Sequence, residues 1–193
     1  MSIYLTYILC AVVAYLVGSL SPAILISKLK GKNIMKEGSG NAGATNVVRV
    51  LGLKFGLCVF ALDFLKGFLI TFLIAWFLGA FCAYISSIAV IVGHIFSVFH
   101  KFKAGKGVAP SIGVVFAVDW RLGLICLLFG LVLVLITRKV SVGSISSAII
   151  LPVVSWFLVN GFFVFSIVIA VLVIFSHRTN IVRIFKGEEK PLF

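Results

Sequence analysis

The sequence predicts an all-α integral membrane protein with seven transmembrane helices, some of them short. The N-terminus is placed outside and the C-terminus in the cytoplasm. Three observations carry this. Of 193 residues, 62% are hydrophobic and only 11% charged, whereas a soluble domain has about 45–50% apolar and about 25% charged residues. The apolar residues form four long runs, each at or above the ~20 residues that cross a bilayer as a helix. The basic residues gather between those runs. No sizeable soluble domain remains, so residues 1–193 are expected to form a single membrane-embedded domain.

The first run extends from about Ile3 to Ser27. It lacks a basic leader and a small-residue cleavage site, so it is expected to be a retained span and not a signal peptide. The second, Phe55 to Phe99, is too long for one helix, and Gly79 near its middle predicts a hairpin. The third, Val108 to Thr137, is interrupted by Asp119-Trp120-Arg121, giving one short and one ordinary helix. The fourth, Val142 to Ser176, is interrupted at Asn160-Gly161.

Charge decides how these pieces are threaded. There are 17 Lys+Arg against five Asp+Glu, a net charge of +12. In a soluble protein this would point to nucleic acid. Between apolar spans it follows from the positive-inside rule and attraction to anionic lipid, so membrane lipid is the expected partner and nucleic acid is not. If every interrupted run is a hairpin, all basic residues except Lys66 and Arg121 fall on one side. That side is the cytoplasm. It then also holds every unusual polar segment: GSGNAGATNVVR, GHIFSVFHKFKAGKG, TRKVSVGS and HRTNIVR. One cytoplasm-facing site assembled from these four is expected. The four cysteines lie in apolar runs without metal or disulfide spacing and read as small hydrophobes.

Gly38-Ser39-Gly40-Asn41-Ala42-Gly43 spells the GxGxxG of a dinucleotide loop. A Rossmann unit needs a strand before it, and here a membrane helix precedes it, so that fold is excluded. The chemistry of such a loop remains. Small residues let backbone N–H groups converge on an anion, a helix start adds its positive end, and Arg49 offers a bidentate fork to phosphate. Gly40, Gly43, Thr45 and Asn46 join Ser39, Asn41 and Arg49 as candidates. Lys103, Gly105, Lys106 and Gly107 form a second candidate anion cradle. Ser141, Gly143 and Ser144 offer hydroxyls and N–H groups at another helix start. His177 and Asn180, at i,i+3, share a helix face and are placed to grip one polyol; Glu188 or Glu189 folding back would supply a carboxylate. Asp63 and Lys66 share the same spacing inside a span, where charges pair.

Absences narrow the chemistry. No HxxxxD follows any histidine, there is no GxSxG, and no His/Cys/carboxylate cluster suits a metal. No metal or other cofactor is expected. Anion sites, a polyol grip and a lipid-facing wall suit transfer from an activated acyl donor. The competing class is a membrane transporter of an organic phosphate, but such a protein places polar residues near the midplane on several helices, and only Asp63 and Lys66 qualify.

GSGNAGATNVVR, DFLKG, GHIFSVFHKFKAGKGVA and HRTNIVRIFKGEE, in that order from roughly Gly18 to Glu189, together resemble the bacterial PlsY family of acyl-phosphate:glycerol-3-phosphate acyltransferases. The resemblance implies transfer of a fatty acyl group from acyl-phosphate to glycerol-3-phosphate. The products are 1-acyl-glycerol-3-phosphate (lysophosphatidic acid) and phosphate, the first acylation of phospholipid synthesis, made at the cytoplasmic face of the bacterial inner membrane. It assigns Ser39, Asn41 and Arg49 to a first signature, Lys103 through Gly107 to a glycine-rich acyl-phosphate segment, and His177 and Asn180 to a third. The second signature usually reads KGGKGVAT, and Ala104 and Pro110 depart from it here.

Overall fold

The computed structural model describes residues 2–192. Every regular element among them is helical. They form two compact units, one ending at Val118 and the other beginning at Asp119.

The first unit begins with α1 (Ile3–Ser19) and α2 (Pro22–Leu29), which divide the first apolar run. The expected continuous helix breaks at Leu20-Ser21 for a local reason. Proline disfavours the helical region for the residue before it, and Ser21 is extended, with φ −116° and ψ 96°. Its hydroxyl then accepts from the N–H of Ile24 at 3.4 Å, while Pro22 occupies the first helical position, where no N–H is needed. The unit continues with α3 (Ala44–Leu51), α4 (Leu53–Leu78), α5 (Ala80–Ile95) and α6 (Val108–Val118). The α4–α5 hairpin turns at Gly79, as the sequence predicts. Two helix pairs meet backbone to backbone. On α1 and α5, a side chain at Gly18 would strike the Val90 carbonyl, and one at Gly93 the Tyr15 carbonyl. On α4 and α6, Gly67 abuts Pro110 and Gly113 abuts Phe64 in the same way. Small residues allow this approach where hydrophobic exclusion from water cannot drive helices together.

The second unit contains α7 (Trp120–Thr137), α8 (Val140–Leu158), α9 (Phe163–Ser176) and α10 (Arg178–Phe185). Asp119 caps α7, accepting from the N–H groups of Arg121 at 2.8 Å and Leu122 at 3.3 Å. The hydrogen bond from the Arg121 side chain outweighs partial burial and holds the Asp119 carboxyl below its ordinary range. A single 3₁₀ turn, Asn160–Phe162, joins α8 to α9. The α9–α10 pair bends by 60°, and His177 is the residue at the bend.

Five helical stretches among the described residues are long and apolar enough to cross a membrane, and a sixth is added if the bent pair counts as one span. The 11-residue α6 is apolar but only roughly 16 Å long, against a hydrocarbon core of about 30 Å. Large apolar side chains stand exposed along α1, α4, α7, α8 and α9, among them Leu9, Phe72, Leu128, Phe157 and Val171. Such a surface belongs in lipid. The chain is a multi-pass, all-helical membrane protein.

Candidate active site

In the first unit the loop before α3 is organised by one buried amide. Asn46 donates to the carbonyls of Ile34, Glu37 and Asn41 at 3.0–3.1 Å, and its Oδ1 accepts from the Ser39 N–H at 2.8 Å. Two N–H hydrogens are thus shared among three carbonyls. Asn46 is 2% exposed, and its amide shapes the loop. Ser39 itself is exposed. Gly43 is the N-cap residue of α3, so the positive end of that helix lies at the loop. Thr45 and the exposed Arg49 lie one turn apart on α3.

The second glycine-rich segment meets the first through a single carbonyl. Ala104 O accepts from the Ala42 N–H at 3.2 Å and from Asn41 Nδ2 at 3.2 Å. Two segments some sixty residues apart in sequence are therefore joined inside one unit. Lys103 is exposed, Lys106 is partly buried, and Gly105 and Gly107 between and beside them are buried. Behind this loop lies His94, near the end of α5 and 4% exposed. The Asp63–Lys66 pairing expected from their spacing is present at 2.7 Å.

In the second unit the His177–Asn180 pair is present, but the bend alters its setting. His177 closes α9 and Asn180 lies in the first turn of α10; both are buried. His177 Nδ1 lies 2.8 Å from the Val173 carbonyl. A carbonyl only accepts, so Nδ1 carries a hydrogen. A backbone carbonyl thus orients this ring.

Of the two C-terminal glutamates, Glu189 folds back. It is 7% exposed and accepts from Ser141 Oγ at 2.7 Å, Asn180 Nδ2 at 2.6 Å and Arg183 Nε at 2.8 Å. Burial alone would raise its pKa, but the hydrogen bonds from Arg183, Ser141 and Asn180 outweigh it and hold the carboxyl below its ordinary range. Ser141 and Asn180, read from the sequence as separate candidates, are brought onto one carboxylate. Ser144 donates its hydroxyl to the Val140 carbonyl at 2.9 Å. Gly143 is buried against the Gly130 carbonyl of α7.

Such features define a class: a helical membrane protein whose polar chemistry sits on glycine-rich loops and helix ends. The glycerol-3-phosphate acyltransferase family model matches residues 8–187. The glycerol-3-phosphate acyltransferase of Thermoanaerobacter pseudethanolicus is 44% identical over 188 residues, covering 96% of this chain and 95% of the relative. That of Aquifex aeolicus is 44% identical over 181 residues, covering 91% and 94%. The crystal structure of PlsY, an integral membrane glycerol 3-phosphate acyltransferase, in its glycerol 3-phosphate form superposes with a TM-score of 0.91 at 40% identity, covering 96% of this chain and 94% of that one. Its lysophosphatidic acid form superposes at 0.90 and 39% identity. The chain belongs to the glycerol-3-phosphate acyltransferase family.

Proposed function

We propose that this protein transfers a fatty acyl group from acyl-phosphate to glycerol-3-phosphate, yielding lysophosphatidic acid and inorganic phosphate. Family membership carries the acceptor, since a solved relative holds glycerol 3-phosphate and another form of it the acylated product. The donor is supported by the phosphate-suited loops of the first unit and by the lack of an HxxxxD device. In the step, an acceptor hydroxyl oxygen bonds to the acyl carbon and the carbon–oxygen bond to phosphate breaks. The hydroxyl proton leaves with the phosphate, so no strong side-chain base is required.

Roles follow from position. Arg49, Thr45, Ser39 and the backbone around Gly40 and Gly43 bind phosphate oxygens, as do Lys103, Lys106 and the N–H groups of Gly105 and Gly107. Asn41 braces the two loops against each other. His177 and Asn180 position the glycerol hydroxyls, with Ser141 held beside Asn180 by Glu189. The assay that tests this reading measures phosphate release from purified protein. Acyl-phosphate is expected to react, and acyl-CoA and acyl carrier protein are not. Equal turnover of acyl-CoA would refute the donor assignment.

His177→Asn keeps a hydrogen-bonding group, so it is expected to retain measurable turnover with a raised KM for glycerol-3-phosphate and a pH–rate curve of wild-type shape. A general base would behave differently: its loss would remove the chemical step and the titration with it.

We also assign seven membrane helices, counting α6, with the N-terminus outside, the loops facing the cytoplasm, and the bacterial inner membrane as the location. The side carrying nearly all the lysines and arginines supports this. Ser39→Cys is then labelled by an impermeant maleimide only after the cells are opened. Labelling in intact cells would overturn the topology.

A further inference from the structure

The roles assigned so far leave unused the most buried charges of the first unit. Asp63 is 1% exposed and His94 4%. Lys66 Nζ lies 2.7 Å from Asp63 Oδ1, 2.9 Å from His94 Nδ1, 3.0 Å from the Gly18 carbonyl and 2.7 Å from the Leu20 carbonyl. The two carbonyls stand at the break between α1 and α2, where Pro22 has no N–H to offer the Gly18 carbonyl and the Ile24 N–H turns to Ser21 Oγ. Nδ1 also stands 3.4 Å from Asp63 Oδ1, so both members of the ion pair hold this edge of the His94 ring, and Nε2 lies on the opposite edge. That far edge of the ring faces Gly105. A methyl group there would collide with Nε2, Cε1 and Cδ2 together, so the imidazole fills the space that a side chain at 105 would occupy. Main-chain bonds fasten the loop to the same place: Gly105 N–H to the His94 carbonyl at 3.0 Å and Ala104 N–H to the Ile95 carbonyl at 3.3 Å. From Ala104 the series continues to Asn41 at 3.2 Å.

We propose that Asp63, Lys66 and His94 are positioning residues for acyl transfer: the ion pair fixes the His94 ring, and the ring is the floor on which loop 103–107 takes the shape that holds a phosphate group. The proposal rests on the acyltransferase reading above. The phosphate is that of acyl-phosphate or of glycerol-3-phosphate, and the kinetics separate them.

The test is a double-mutant cycle on the purified protein, with phosphate release measured while each substrate is varied in turn. Gly105→Ala is expected to raise the KM for one of the two substrates roughly tenfold, in the range of contact-coupled pairs, with a much smaller change in kcat. His94→Ala is expected to raise the same KM. The double variant is expected to be no worse than His94→Ala, because the methyl group enters the space the ring has left. The substrate whose KM rises is the one whose phosphate the loop holds. If His94→Ala does not accumulate in the membrane, His94→Asn leaves the same space vacant and carries the same comparison. Losses that multiply in the double variant, or a His94 variant with both KM values unchanged, would overturn the proposal alone. Wild-type protein that releases no phosphate would overturn the acyltransferase reading and this inference with it.

Discussion

Glu189→Ala is expected to remove acyl transfer and to lower the thermal midpoint of the purified protein by roughly 10 °C. Three donors converge on this carboxylate. Hydrogen bonds to a charged group contribute about 1.5–3 kcal/mol each, and they do not add fully within one network. Arg183 is about one-third exposed at its side chain, so solvent screens that contact and it contributes least. The buried Ser141 and Asn180 contacts dominate, for a combined loss of about 3–4 kcal/mol. In a chain of this size each kcal/mol moves the midpoint by roughly 2–4 °C. Activity falls further than stability, because the released Asn180 amide and Ser141 hydroxyl no longer hold their places. Glu189→Gln keeps one acceptor oxygen and should fall between. The pH dependence has a definite sign. Since the folded carboxyl titrates below its ordinary value of 4.5, its contribution is full above that value and is lost as pH falls through the lower folded pKa. The wild-type midpoint should drop in that acidic window, and the Glu189→Gln midpoint should stay flatter. Full activity in Glu189→Ala would show that the carboxylate is incidental.

Lys66→Met is expected to cost about 3–5 kcal/mol, the usual penalty for removing one partner of a buried ion pair. Asp63 is left charged in a nearly closed site, and the Gly18 and Leu20 carbonyls lose their ammonium donor. The variant should accumulate poorly in membranes and unfold at markedly lower temperature in detergent. Adding Asp63→Asn removes the stranded charge, so Lys66→Met with Asp63→Asn should recover part of the loss. A double variant no better than the single would mean that charge pairing is not what Lys66 supplies.

Much of this architecture could be read from the chain because it is written in hydropathy and in helix breakers. Gly79, Asp119 and Asn160-Gly161 interrupt apolar runs, and helices end at each of them. The Asp63–Lys66 spacing was sufficient for their pairing, since an intramembrane charge has few other options. The break at Leu20-Ser21 was missed although Pro22 is plain in the sequence. Proline at a first helical position leaves the hydropathy of the run unchanged. Within the site, side-chain chemistry was legible and backbone chemistry was not. Asn46 looks like a substrate ligand by type, and only the fold shows its amide turned onto three carbonyls. The Ala104 carbonyl that joins two distant segments is invisible to any motif, because every residue has one. Glu189 was visible as a possible partner, but which glutamate returned, and to Ser141 and Asn180, depended on the turn after α10.

The backbone contacts at Gly18, Gly93, Gly67 and Gly113 also bear on how such a chain tolerates change in length. Each residue added to a helix rotates everything beyond it by about 100°. One inserted residue upstream of Gly93 in α5, or of Gly67 in α4, would carry the small face away from its neighbour and bring Val92 or Lys66 to a place where two main chains touch. No rotamer change relieves that clash. Insertions and deletions among relatives should therefore collect at the turns near residues 79, 119 and 160, while the stretches between keep a fixed residue count even where their apolar side chains drift.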